Sequence, residues 1–76
     1  MENFDIHYAA NNREFDLHIL AKKNSIKGVY YSVYDHGVWL ANICKKGRNK
    51  YKALSYTGAF PQNDLDIIGQ QIDLIN

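Results

Sequence analysis

The chain has 76 residues, 46% hydrophobic and 22% charged, a composition typical of one globular domain over residues 1–76 and unlike that of a disordered chain. A net charge of +1 gives no strong overall field to steer the protein toward nucleic acid or another charged partner. The single cysteine, Cys44, excludes an internal disulfide and a cysteine-rich zinc finger, and it fits a reducing compartment.

The first predicted elements are two strands, at residues 3–9 and 14–21, where apolar and polar residues alternate with a period of two. The intervening AANNR contains two Asn residues, which tolerate turn geometry, so the strands are predicted to form a hairpin. Burial then favours the register that makes one face continuously apolar. That register pairs Phe4 with Ile19, Ile6 with Leu17 and Tyr8 with Phe15.

A second hairpin is predicted from VYYSVY and VWLANI, which flank DHG, with strands at 28–34 and 38–45. Gly37 suits the positive φ at the end of a three-residue loop built on a type I turn with a bulge. Strict alternation gives two faces. The core face is predicted to hold Val29, Tyr31, Val33, Trp39, Ala41 and Ile43. The other face is predicted to hold Tyr30, Ser32, Tyr34, Val38, Leu40 and Asn42.

The lysine-rich turn KKGRNK leads into a fifth predicted strand, at 50–56. Its inward pair is either Leu54 and Tyr56 or Tyr51 and Ala53. We favour the first pair, because the apolar face of the preceding strand then continues into Leu54.

A C-terminal helix is predicted at 62–75, because Pro61 suits a first helical turn and apolar residues follow at helical spacing. These residues are Leu65, Ile68, Ile72 and Ile75. Gly69 costs about 1 kcal/mol relative to Ala inside a helix, so we expect it to allow a close approach to the aromatic sheet.

The predicted fold is therefore α+β, with a meander of about five antiparallel strands packed against one C-terminal helix in two layers. The alternative is a sheet that curls into a small barrel with the helix plugging one end.

The motif FD-aliphatic-H occurs twice, at residues 4–7 and 15–18, and raises the possibility of a metal site. The predicted hairpin register brings Asp5, His7, Asp16 and His18 onto one face, with directly opposed Cβ atoms about 5 Å apart. Two imidazoles and a carboxylate at such spacing suit zinc or a similar ion. The favoured interpretation is simpler: two solvated cross-strand Asp–His pairs on a face too flat for a tetrahedral pocket.

The turn around residues 45–52 mixes basic residues with an aromatic one, a combination that can hold nucleic acid. The candidate contacts are Lys45, Lys46, Arg48, Lys50 and Tyr51. The favoured interpretation is a soluble hairpin tip whose lysines also discourage edge-to-edge strand pairing.

The favoured working surface is the outer face of the sheet, where tyrosines lie beside apolar residues as at many protein interfaces. We expect Tyr30, Tyr34 and Leu40 to anchor a protein partner, either another copy of the chain or a host protein. The function predicted from sequence is thus a small interaction or inhibitor-type module, with nucleic-acid contact and metal binding as alternatives.

No nucleophile motif or phosphate-binding glycine loop occurs in the sequence, so an enzyme is not expected and neither is a cofactor. No apolar run reaches the roughly 20 residues that span a bilayer, and the N-terminus lacks signal-peptide character. We therefore expect no membrane contact and a cytoplasmic location.

The ending FPQNDLDIIGQQIDLIN resembles short bacterial proteins in which a meander runs into a P-x-x-x-L-x-x-I-G helix. The resemblance covers under a quarter of the chain and implies no particular activity. In size and meander the chain is also similar to phage-encoded inhibitors of host defence, by analogy of scale alone.

Overall fold

The computed structural model describes residues 3–10, 12–25, 28–47 and 50–75. Its five strands form one open antiparallel sheet in the order β1-β2-β3-β4-β5, followed by a short 3₁₀ turn and one helix. The bounds are β1 Asn3–Ala10, β2 Arg13–Asn24, β3 Gly28–Asp35, β4 Val38–Gly47, β5 Lys50–Tyr56, the 3₁₀ turn Gln62–Asp64 and α1 Leu65–Ile75. The predicted α+β meander is confirmed, and the barrel alternative is wrong because the sheet does not close.

The register predicted for the first hairpin is confirmed: Phe4 pairs with Ile19, Ile6 with Leu17 and Tyr8 with Phe15. Asn12 takes the positive φ of 63° that the turn requires, a conformation that Asn adopts more readily than most residues. The face that carries Ile6 and Leu17 is buried, and we call it the inner face.

The β3–β4 turn is shorter than predicted. Asp35 pairs with Val38, so the loop is only His36 and Gly37, with φ values of 51° and 83°. Two positive φ values in a two-residue loop indicate a type I′ turn, whose twist matches that of the flanking strands. The positive φ predicted for Gly37 is confirmed, but the three-residue loop is wrong.

A β-bulge in β4 changes which of its side chains face the core. Val33 pairs with Ala41 but Tyr34 pairs with Trp39, which leaves Leu40 as the extra residue. Leu40 and Ala41 both enter the core, whereas Trp39 lies with Tyr34 on the opposite, outer face. The placements predicted for Leu40 and Trp39 are therefore wrong.

The physical reason for the bulge is visible in its surroundings. The run VWLA has no polar alternation, so one extra residue lets two neighbouring apolar side chains face inward. The backbone stays satisfied, since the Thr57 N–H donates to the Leu40 carbonyl over 2.8 Å.

A second irregularity, in β5, decides the inward pair. Asn42 pairs with Ser55 but Ile43 pairs with Ala53, so the register shifts at Leu54. Tyr51 and Ala53 pack against the core, whereas Leu54 and Tyr56 are 37% and 54% exposed. The alternative pair is therefore the correct one, and the favoured pair is wrong.

The helix covers the inner face through Ile68 and Ile72, which are fully buried. A Cβ atom on Gly69 would collide with the ring of Tyr51, which confirms the predicted close approach of helix and sheet.

Ile75 and Val29, both predicted to face the core, are about half exposed because each lies at an end of its element. The buried apolar core consists of Ile6, Leu17, Ile19, Val33, Leu40, Ala41, Ile43, Phe60, Ile68 and Ile72.

Candidate functional site

Three large aromatic side chains form the centre of the outer face. Tyr34 pairs with Trp39 on one side and with His18 on the other, and Tyr30 lies two pleats further along β3. All three aromatic residues are half-buried. We call Tyr30, Tyr34 and Trp39 the aromatic patch; Leu40, expected among its anchors, lies beneath it in the core.

Two hydrogen bonds to Asn42 fix the Trp39 ring of the patch. The Trp39 Nε1–H donates to Oδ1 of Asn42 over 3.0 Å, and the Ser32 hydroxyl donates to the same oxygen over 2.7 Å. Ser32 is only 1% exposed, so this bond also satisfies a buried hydroxyl. The indole is thereby fixed before any partner arrives, which lowers the entropy lost on binding.

No described element covers the aromatic patch. The helix buries Ile68 and Ile72 against the inner face, and the segment before it buries Phe60 in the same core. One face of the described sheet is thus closed, and the other presents aromatic rings to its surroundings.

Sequence reasoning placed Tyr30 and Tyr34 on the outer face but missed Trp39. The available signal was the unbroken apolar run VWLA, which strict alternation does not fit and which a bulge explains.

The Asp–His hairpin has the predicted pairs. The Nδ1 atom of His18 lies 2.7 Å from Oδ1 of Asp5, and the Nδ1 atom of His7 pairs with Asp16. These four residues and His36 line one shallow depression of about 240 Å³. Among the described residues, however, no three His, Cys, Asp or Glu side chains are grouped to hold a metal ion. The hairpin supplies cross-strand pairs, and metal binding stays a prediction.

The basic turn is only partly available for nucleic acid. Lys45 makes a 3.0 Å ion pair with Asp73 of α1, and the Tyr51 hydroxyl donates to the same carboxylate over 2.8 Å. Lys46 and Lys50 are exposed, while Arg48 lies outside the described residues. The predicted stacking ring, Tyr51, is instead a packing residue beneath the helix, and nucleic-acid binding by this turn stays a prediction.

Asp73, Lys45 and Tyr51 form what we call the Asp73 cluster. Hydrogen bonds and burial shift the pKa values of two of its members. The hydrogen bond from Lys45 lowers the pKa of Asp73, with burial opposing and the bond from Tyr51 assisting. Burial, followed by the bond to Asp73, raises the pKa of Tyr51 above its ordinary value. This cluster joins β4, β5 and α1, so its evident role is to attach the helix to the sheet.

No family model, curated protein or solved structure matches the chain. Within the described residues, no helix has the length and apolar character needed to cross a membrane.

Proposed function

We propose that the protein is a non-enzymatic protein-binding module that works through the outer face of its sheet. The observation that carries the proposal is the aromatic patch, with its hydrogen-bonded Trp39, on a face that no described element covers. Trp and Tyr are the residue types that most often dominate binding energy at protein interfaces. Trp39 replaces Leu40 as the third anchor.

We propose further that the partner is a second copy of the chain, because the charges on the outer face are arranged self-complementarily. Asp5 and Asp16 lie toward one end of the strands, near the β3–β4 turn, and are exposed. Lys22, which pairs with Tyr30, and Lys52, which pairs with Cys44, lie toward the opposite end. A two-fold axis between two stacked sheets, perpendicular to the strands, brings the acidic end of each copy over the basic end of the other.

The same two-fold axis also brings aromatic residues of the two copies together. Ser32 lies midway between Tyr30 and Tyr34 on β3, so a two-fold axis near Ser32 stacks Tyr30 of one copy near Tyr34 of the other. Sheets stacked in this way keep their strands within about 30° of each other.

The available area is sufficient for a modest dimer. Five strands about 4.8 Å apart and about seven residues long present roughly 500 Å² per face. Two such faces bury about 1,000 Å², which is the lower limit for a specific interface. We therefore expect a dissociable dimer.

The test is sedimentation of the intact protein over a wide concentration range, first as wild type and then as charge variants. Asp16→Lys and Lys22→Asp each place like charges across the interface, so each variant alone should sediment as a monomer. An equimolar mixture should recover the dimer, since both contacts of the mixed pair are then attractive. Added salt should weaken the recovered dimer.

Two matched controls separate interface effects from general surface effects. Lys23→Glu changes an exposed charge on the neighbouring β2 position, which faces the other side, and should leave the dimer intact. Leu74→Ala truncates a 79% exposed apolar side chain on α1 and should do the same, whereas Trp39→Ala should abolish association. A wild-type protein that stays monomeric at every concentration overturns the proposal, as does a mixture of the two charge variants that fails to associate.

A further inference from the structure

The lysines of the chain are concentrated at one end of the molecule, although they are far apart in the sequence. The end of β2, the end of β4 and the start of β5 lie at the same end of the sheet, because the strands are antiparallel neighbours. This lysine end carries Lys22, Lys23, Lys45, Lys46, Lys50 and Lys52. Arg13, the one other lysine or arginine that the structure describes, begins β2 at the opposite end.

The net charge of +1 hides this separation of charge. Asp73 is the one acidic residue that the described part of the lysine end contains, and it is paired with Lys45 over 3.0 Å. Most other acidic residues of the described chain lie toward the opposite end: Glu14, Asp16, Asp35, Asp64 and Asp66. A nearly neutral chain therefore presents a strongly positive surface at one end, which attracts an anionic partner.

Not every lysine of this end is available to such a partner. Lys45 is held by Asp73, and Lys22 and Lys52 face the acidic end of the second copy in the dimer proposed above. The lysines that remain are Lys23, Lys46 and Lys50. All three are exposed, and none forms an ion pair with another described residue.

These three side chains form a row along the strand ends. Lys23 ends β2, Lys50 begins β5, and Lys46 lies at the register shift in β4. Three strand spacings of about 4.8 Å separate β2 from β5, so the row is about 14 Å long. Duplex nucleic acid carries one charge per about 1.7 Å of its axis, so several phosphates fit along this length. A row of charges suits a linear polyanion better than a planar lipid surface.

We propose that the lysine end binds the phosphate backbone of double-stranded nucleic acid through Lys23, Lys46 and Lys50. No described residue of this end has an exposed aromatic ring for base stacking, and Tyr51 packs against the core. The contacts are therefore electrostatic and independent of base sequence. This binding goes beyond the proposed dimer, which covers the outer face and leaves the three lysines uncovered.

Fluorescence anisotropy of a labelled duplex of about 20 base pairs measures binding to the intact protein at several salt concentrations. Three phosphate contacts predict that the logarithm of the binding constant falls with the logarithm of salt concentration with a slope of about −2.7. Lys46→Gln should reduce this slope by about 0.9 and weaken binding roughly tenfold at about 50 mM salt. Lys23→Gln and Lys50→Gln should each do the same. Arg13→Gln is the matched control, because it removes the same charge at the opposite end and should change neither value.

A single strand of the same length should bind more weakly, because its charge density is lower and no exposed ring stacks on its bases. Absence of duplex binding at about 25 mM salt overturns the proposal, as does an equal loss of affinity in Arg13→Gln. Tighter binding of the single strand overturns the backbone assignment. Binding to phosphatidylserine vesicles without binding to the duplex assigns the lysine end to a lipid surface and also overturns the proposal.

Two variants separate this inference from the proposed dimer. Trp39→Ala, which should be monomeric, should bind the duplex with an unchanged salt slope. Lys23→Gln should bind the duplex more weakly and still dimerise. A protein that binds the duplex through these lysines but never dimerises contradicts the proposed function alone, and a dimer that does not bind the duplex contradicts this inference alone.

Discussion

The ring of Tyr51 occupies the space that any side chain on residue 69 would need. A Cβ atom built on Gly69 would meet three carbons of that ring closer than real Cβ atoms approach their neighbours. The absent side chain lets the Tyr51 ring pack against α1 and its hydroxyl donate to Asp73 over 2.8 Å. One glycine thus permits both the close packing and the hydrogen bond that attach the helix.

Gly69→Ala should therefore destabilise the protein, although Ala is the better helix former. The displaced Tyr51 ring costs about 1–3 kcal/mol through overpacking, which exceeds the gain of about 1 kcal/mol in helix propensity. Urea unfolding followed by circular dichroism measures the difference. Gly47→Ala is the control, because its Cβ atom would meet nothing within 4 Å. In a Tyr51→Ala background the sign should reverse, and Gly69→Ala should become stabilising; an unchanged sign would refute the packing explanation.

The Asp73 cluster should make the protein less stable in acid. Lys45 holds the pKa of Asp73 below its ordinary value of 3.8, so the carboxylate stabilises the fold above the unfolded-state pKa. That stabilisation is lost as the pH falls from about the ordinary value through the lower folded-state pKa. Asp73→Asn should cost about 1 kcal/mol or less at pH 7, since the pair is partly exposed, and should flatten the stability profile near pH 3. Urea unfolding at several pH values tests this, and parallel profiles for the two proteins would contradict it.

Leu40 and Leu54 should differ sharply in their contribution to stability. Leu40 is 4% exposed in the core, so Leu40→Ala should cost about 2–5 kcal/mol. Leu54 is 37% exposed, so Leu54→Ala should cost under about 1 kcal/mol. Chemical denaturation of both variants makes the comparison within one residue type. Equal losses would mean that the bulge in β4 does not place Leu40 in the core.

This pair of leucines also shows where sequence reasoning succeeds and where it stops. Alternation predicted the strands, the register of the first hairpin and the helix, because burial of a whole face specifies each of them. It failed at Leu40 and Leu54, since each lies at a register shift, where one extra residue breaks the alternation of inward and outward side chains. The Asp–His pairs were predicted because they are set by that register.

The cleft of about 470 Å³ that Arg13, Phe60 and Asp64 help to line, in contrast, had no local signal. Arg13 and Asp64 are distant in sequence, and only the return of the chain after β5 brings both residues to one cleft. Periodicity reports which face of an element is buried, but it does not report which loop later packs at the end of that face.

The β3–β4 turn gives a last pair of predictions. Both of its residues have a positive φ, but only one of them is a glycine. Gly37 adopts a φ of 83° freely, so Gly37→Ala should cost about 1–2 kcal/mol although no neighbour obstructs the new methyl group.

His36 adopts a φ of 51° against its ordinary preference, and Asn-Gly is a favoured pair in type I′ turns. His36→Asn should therefore be neutral or slightly stabilising, even though the His36–Asp35 pair is lost, because that pair is largely exposed. Thermal unfolding resolves both, since 1 kcal/mol shifts the melting temperature of a domain this small by about 4–8 °C. A clear loss of stability in His36→Asn would mean that the contact with Asp35, and not the backbone conformation, governs the choice of residue at this turn.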